Sequence, residues 1–312
     1  KQLNWNVTDD LDWSQNFPKD EFMINSEIFK APEVELEGYD ALSHEKKIEM
    51  DRHRVAWNIS QFLHGEQGAL LVASQLVSCA PTFNAKMYAA SQTFDEARHV
   101  EGFNRYLKEK IGFQYPATKG LKSLMDKILT DERWDLKFIG MQIIIEGLAL
   151  AAFNNMKFIL NDGLLKQLLH YVIRDEARHV TFGVNYLEDY LKTLSKSEIE
   201  ERAEFAFEAC LVMRGRLISG EVVAKFLDYT PEEADRIAFE SDQGQNFRTL
   251  LFTKIVPNLK RIGLLTDNVK EKYEQIGVLS YAELEDNFNI DWAEMSKPYE
   301  TQEEIEKAIR LV

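Results

Sequence analysis

The stretch SQTFDEARHVEGFNRYL (91–107) has a near-copy in YVIRDEARHVTFGVNYL (171–187): both carry DEARHV and both end in Tyr-Leu. In each copy a Glu and a His stand three residues apart, Glu96 with His99 and Glu176 with His179. On an α-helix that spacing turns two side chains to one face, about 60° apart, so each pair can grip one ion. One Glu-x-x-His alone is an ordinary solvated salt-bridge pattern. Two copies at matched spacing are a repeat and demand a joint explanation.

The repeat extends upstream. Laying 95–100 over 175–180 brings Glu66 over Glu146, Ala69 over Ala149 and Leu70 over Leu150. Both upstream glutamates sit in apolar surroundings, LLVASQLV just after Glu66 and MQIII with GLALAA on either side of Glu146. If the four segments pack as helices, four carboxylates and two imidazoles meet in one interior. Four buried carboxylates without counter-charge cost many kcal/mol or must take up protons. Two divalent cations would set +4 against −4, and carboxylate with imidazole but no thiolate suits Fe or Mn, with Zn as a further choice. Asp95 and Asp175 are placed to receive the second N–H of the imidazoles across the helix pair, with Arg98 and Arg178 balancing the aspartates.

Helix-period patterning fills nearly everything after residue 40 and strand signals are scarce, which predicts an all-α protein. Helices are expected at 44–76, 83–111, 121–160 with a break near Thr130, and 164–194. The stops are Pro81, the Gly112 to Pro116 stretch and the Asn161-Asp162-Gly163 turn. Two more are expected at 196–228 and 231–263, with Pro231 at a helix start and Pro257 at a kink. The whole chain, 1–312, reads as one domain. Residues 1–43, with Trp5, Trp13, Pro18 and Pro32, form an irregular arm, 44–194 the metal-binding core, and 195–312 accessory helices and an acidic tail.

Lys plus Arg number 37 against 52 for Asp plus Glu, and the resulting charge of −15 repels phosphate backbones and anionic lipid. Neither nucleic acid nor a membrane is therefore expected as a partner. Cys79 and Cys210 lack disulfide or metal spacing, and the opening KQLNWNVTDDLDW has no basic start or apolar run, so a reducing cytoplasm is the expected setting. Residues 138–156 are apolar enough to suggest a membrane span, but they carry Glu146, Gln142, Asn154 and Asn155 and read better as a buried core helix.

At the six residues Glu66, Glu96, His99, Glu146, Glu176 and His179 the chain resembles the ferritin-like di-iron carboxylate superfamily, whose ligand order is Glu, Glu-x-x-His, Glu, Glu-x-x-His. The match covers 44–194. The resemblance implies a ferritin-like four-helix bundle with additional C-terminal helices, and two iron ions, or a manganese or mixed Mn/Fe pair, held by those six residues. It implies an O2-activating oxygenase or oxidase acting on a small organic substrate by hydroxylation, N-oxygenation or desaturation-type oxidation. A ferredoxin or reductase would supply electrons, and a homodimer would be the assembly. The Asp-Glu-x-Arg-His form looks most like the multicomponent monooxygenase hydroxylases, whose subunits are longer, and the arylamine N-oxygenases, which place a further His where this chain has Val172.

Positions one turn from the ligands are expected to line the substrate cavity: Phe62, Ala69, Gln92, Thr93 and Gln142, then Ile143, Ala149, Leu150 and Phe153. His44, His53, His64 and His170 read as non-ligands. Two alternatives stand beside the oxygenase. A radical-generating subunit resembling the ribonucleotide reductase small subunit would need a tyrosine close to the metals, and Tyr88 reads as core. A ferritin-like metal-storage or peroxide-scavenging protein would need no substrate cavity.

Overall fold

The computed structural model describes residues 4–214, 217–287, 290–295, 297 and 299. The expectation for the last part of the tail, 301–312, lies outside the described residues. Among those residues the architecture is all-α, with no strand and one isolated bridge between Ile24 and Leu160.

Local chemistry sets the helix limits. Helix α1, His44–Cys79, begins where the Ser43 side chain accepts the Lys46 N–H and ends just before Pro81, which has no N–H to continue it. Helix α2, Phe83–Tyr106, is capped by Thr82. It runs on as a π-helical turn, Leu107–Ile111, to Gly112, whose φ of 91° is the left-handed conformation that glycine adopts freely. Helix α3, Lys119–Thr130, and helix α4, Trp134–Ile159, are separate, because Asp131 turns extended and its carboxylate takes the Arg133 N–H. Within α4, Ile139–Ile145 is π-helical and leads directly into Glu146. Helix α5, Gly163–Leu191, starts at Asp162, whose side chain accepts from Leu165 N and from the Tyr106 hydroxyl.

Beyond α5 two expectations are corrected. The helix expected at 196–228 is two helices, α6 Lys196–Arg214 and α7 Gly220–Phe226; between them Leu217 takes a φ of 67° that no α-helix accommodates. The helix expected at 231–263 is divided too. Ser241 is extended, ends α8 (Pro231–Glu240) and caps α9 (Asp242–Leu250) by accepting the Gly244 N–H. Pro257 marks no kink: it lies in the first turn of a further short helix, Val256–Arg261, where a missing N–H breaks no bond.

Helix α1 runs along α2 and α4 along α5, while α2 meets α5 and the front of α4 meets α1. These four share one apolar cluster that extends from Trp5 and Val7 in the arm to Ala282. Helix α4 is long and apolar enough to cross a bilayer by length and composition, yet protein surrounds almost all of it. Glycines permit close approaches between these helices: a Cβ on Gly183 would lie 2.6 Å from Gln142 Cβ, and one on Gly102 would lie 2.7 Å from Leu168 Cδ1. The arm is tied to the turn after α4 by Asn25 N to Ile159 O and Asn161 N to Met23 O.

Candidate metal centre

The four helices deliver Glu66 from α1, Glu96 and His99 from α2, Glu146 from α4, and Glu176 and His179 from α5 to one buried cluster. All six are at most 5% exposed. His99 Nδ1 lies 3.2 Å from Glu66 Oε2, 3.3 Å from Glu96 Oε2 and 3.1 Å from Glu176 Oε1. His179 Nδ1 lies 3.2 Å from Glu96 Oε1 and 3.7 Å from Glu176 Oε1. Two overlapping sets of converging donor atoms result, Glu66 with Glu96, His99 and Glu176, and Glu96 with Glu146 and His179. Donors at right angles around a metal with bonds of about 2.1 Å stand about 3 Å apart, which is the spacing seen here.

Hydrogen bonding accounts for only part of this crowding, the contact of His99 Nδ1 with Glu66 Oε2. Glu96 Oε2, Glu146 Oε2, Glu176 Oε1 and His179 Nδ1 are buried and have no hydrogen-bond partner. Buried polar atoms are otherwise almost always paired, so four such atoms facing one another offer a place a cation could occupy. The buried Glu/His groups can thus hold a metal ion.

Behind the donors lies a second layer. His99 Nε2 faces Asp175 Oδ2 at 3.2 Å, and His179 Nε2 faces Asp95 Oδ2 at 3.3 Å, so each ring is met by the aspartate of the other copy. Arg98 Nη2 donates to Asp175 Oδ2 at 2.7 Å and also to Asp95; Arg178 Nη2 donates to Asp175 Oδ1 at 2.8 Å and Asp95 Oδ2 at 3.1 Å. With Nε2–H given to an aspartate, Nδ1 is the nitrogen that would turn a lone pair inward once a cation replaced its proton, as a ligating imidazole must.

The electrostatics of the metal-free cluster agree. Burial, reinforced by the charge of Glu176, holds the Glu66 and Glu146 carboxyls well above the usual carboxylate range. Burial would also raise Glu96, but the His179 and His99 imidazoles override it and hold Glu96 low. Both imidazoles are pushed well above their ordinary value: burial opposes this, and the surrounding carboxylates prevail. Protons here do what a cation would do better, which is to neutralise carboxylates that cannot reach water.

The nine expected cavity positions divide. Phe62, Ala69, Ala149 and Phe153 border a space of about 20 Å³ against Glu66, Glu146 and Glu176, room for about one water-sized molecule. Gln92 borders no described cavity; its amide nitrogen donates to Glu146 Oε1 at 2.7 Å and Glu96 Oε1 at 3.1 Å, so it holds two donor carboxylates. Gln142 in turn donates to Gln92. Thr93 closes on Ala89 O, and Ile143 and Leu150 are core side chains. In the π-helical stretch the three- and four-residue spacing no longer stacks one turn on the next, so Gln142 and Ile143 fall out of the lining.

The remaining histidines lie outside the cluster. His64 meets Tyr115 O, His44 is exposed beside Phe22, and His53 and His170 each meet a lysine ammonium. One residue had no sequence signal to tie it here. Trp5, from the arm, donates its indole N–H to Asp175 Oδ2 at 2.7 Å and stacks on Tyr171.

Comparison with known protein families finds no family model that matches the chain, and comparison with curated proteins finds no match.

Proposed function

We propose that the protein is an O2-activating oxygenase or oxidase of a small organic substrate, built on a ferritin-like bundle, with two iron ions as its resident cofactor. The observation that carries the reading is the pair of overlapping donor sets that share Glu96, with four buried donor atoms left without any other partner. Two Glu plus two Glu-x-x-His units on four helices is the ligand arrangement of carboxylate-bridged dinuclear sites. When bound, the iron pair supplies the reduction of dioxygen, which no side chain of the cluster can perform.

The chain's own residues supply the rest. Asp95 and Asp175 fix the tautomer of the two imidazoles, and Gln92 fixes the tilt of Glu96 and Glu146. Phe62, Ile145, Leu148 and Phe153 wall the 20 Å³ space with hydrocarbon and exclude bulk water from the metal side of Glu66 and Glu146. A further chamber of about 310 Å³ adjoins this space through Phe62 and Leu217. That volume favours an enzyme with an organic substrate over a store of metal alone.

The test is anaerobic loading of the full chain with ferrous iron, metal counting, and stopped-flow optical spectroscopy on mixing with oxygen. About two irons per chain and a transient absorbance band are expected, both lost in Glu96→Ala with Glu176→Ala. Iron content near zero after loading ends the proposal.

A further inference from the structure

We propose that the larger chamber is the substrate site and that it takes a monocarboxylate with an apolar body, its charged end held by Arg248 and its apolar end directed past Phe62 and Leu217 toward the metals. The oxidation of that molecule rests on the oxygenase reading; its binding does not.

The chamber lies between the arm, α1, α4 and helices α7 to α9, and its 310 Å³ falls at the lower end of the range of small-molecule sites, about 300–1,000 Å³. Much of its wall is hydrocarbon, including Phe62, Ala152, Met156, Ile159 and Val223. Phe62 and Leu217 also border the small space against Glu66 and Glu146, so one layer of side chains separates the chamber from the donors.

Two guanidinium groups belong to the chamber wall, and they differ in one decisive respect. Arg54 is neutralised twice, by Asp51 Oδ1 at 2.8 Å and Glu33 Oε1 at 3.1 Å. Arg248 is 2% exposed, and among the described residues no carboxylate stands within ion-pair distance of it. Its Nη2 donates to Phe239 O, its Cζ lies 3.8 Å from the centre of the Phe239 ring, and Nε and Nη1 have no acceptor. A second cation, Arg214, stands over the same ring at 5.6 Å and adds repulsion instead of relief. A buried, unpaired guanidinium beside an apolar chamber is a receptor for an anion, and a carboxylate matches its planar fork. Ammonium ligands are disfavoured there for the same reason, and a neutral alcohol would leave the charge unanswered.

The test uses the full chain, both metal-free and iron-loaded, with decanoate, decanol, decylamine and 4-phenylbutyrate as probes in isothermal titration calorimetry. Decanoate or 4-phenylbutyrate is expected to bind at least tenfold tighter than decanol and decylamine in both preparations; whichever carboxylate binds better assigns an alkyl or an aryl body. Arg248→Gln should erase that preference while decanol binding stays within twofold, and Arg248→Lys should restore part of it. Because Arg248 is buried, Ala152→Phe gives an independent check from the α4 wall: by filling the chamber it should abolish binding of acid and alcohol alike, with thermal unfolding still cooperative. Equal binding of decanoate and decanol, a preference that survives Arg248→Gln, or full binding in Ala152→Phe would each overturn the proposal. Iron counts on the same samples separate the two readings. Carboxylate binding by a chain that takes up no iron on loading sinks the oxygenase alone, and iron uptake with an oxygen reaction but no carboxylate binding sinks the chamber alone.

Discussion

The Oδ2 atom of Asp175 lies 3.2 Å from Nε2 of His99, and the same oxygen accepts the indole N–H of Trp5 at 2.7 Å. An imidazole oriented in this way is a better ligand, and loss of such a partner typically costs 10- to 100-fold in metal affinity. Asp175→Asn presents an amide where a carboxylate is needed and is expected to weaken iron binding within that range. Trp5→Phe keeps the ring against Tyr171, 5.1 Å away, and should weaken it less. Competition with a chromophoric chelator measures both, and unchanged affinity in Asp175→Asn would count against the orienting role.

Cation binding should also be visible as stability. A ligand at 100 times its dissociation constant adds about 2.7 kcal/mol to the folded state, so ferrous or manganous ion is expected to raise the melting temperature of the wild type by several degrees. Glu146→Gln retains an acceptor for Gln92 but removes a carboxyl that burial holds above its usual range. The metal-free variant should be at least as stable as the wild type and should show a smaller metal-induced rise. Differential scanning calorimetry with and without metal checks both halves.

Acid should destabilise the fold through two histidines remote from the metals. His53 Nε2 meets Lys225 Nζ at 3.0 Å, His170 Nδ1 meets Lys157 Nζ at 3.1 Å, and burial together with those lysines lowers each imidazole to about 4. Between that value and the ordinary 6.5 the unfolded chain binds more protons than the folded one, so stability rises with pH. Their contribution is complete above 6.5 and is lost as pH falls toward 4. In urea titrations at pH 7.5 and pH 5, His53→Gln with His170→Gln is expected to lose less stability on acidification than the wild type. An equal loss would show that these rings do not drive the effect.

Gly183 sets the distance between α5 and the π-helical part of α4. An alanine methyl there would come within 2.6 Å of Gln142 Cβ, a side chain that leads through Gln92 to Glu96 and Glu146. Gly183→Ala is therefore expected to cost about 1–3 kcal/mol, the usual range for overpacking, and to lower bound iron per chain. A urea midpoint shift at constant slope measures the first effect and metal analysis the second.

Much of the core was legible because its signals are local. Pro81, Gly112 and the Asn161-Asp162-Gly163 turn announce helix ends, Pro231 announces a start, and the all-α class follows from periodicity. The grouping of the six donors was legible for a different reason: a repeat carries the same spacing twice. What escaped was either conformational or non-local. Nothing about a leucine announces the left-handed backbone of Leu217, and the Ser241 hydroxyl reads equally well inside a helix or at its cap. Gln92 looks like a lining residue until α4 is brought alongside α2. Trp5 meets Asp175 across 170 positions of chain, and Arg248 matters only because no acid faces it in three dimensions.

The crosswise pairing of rings and aspartates makes the two DEARH segments reciprocal. Neither hairpin owns a finished half: each lends a carboxylate to the other and borrows one in return. A lesion at Asp95 is thus felt at His179, on the far segment, before it is felt at its neighbour His99. Two damaged chains, one faulty in each segment, could not rescue one another by simple association, since only an exchange of whole hairpins would restore both loans.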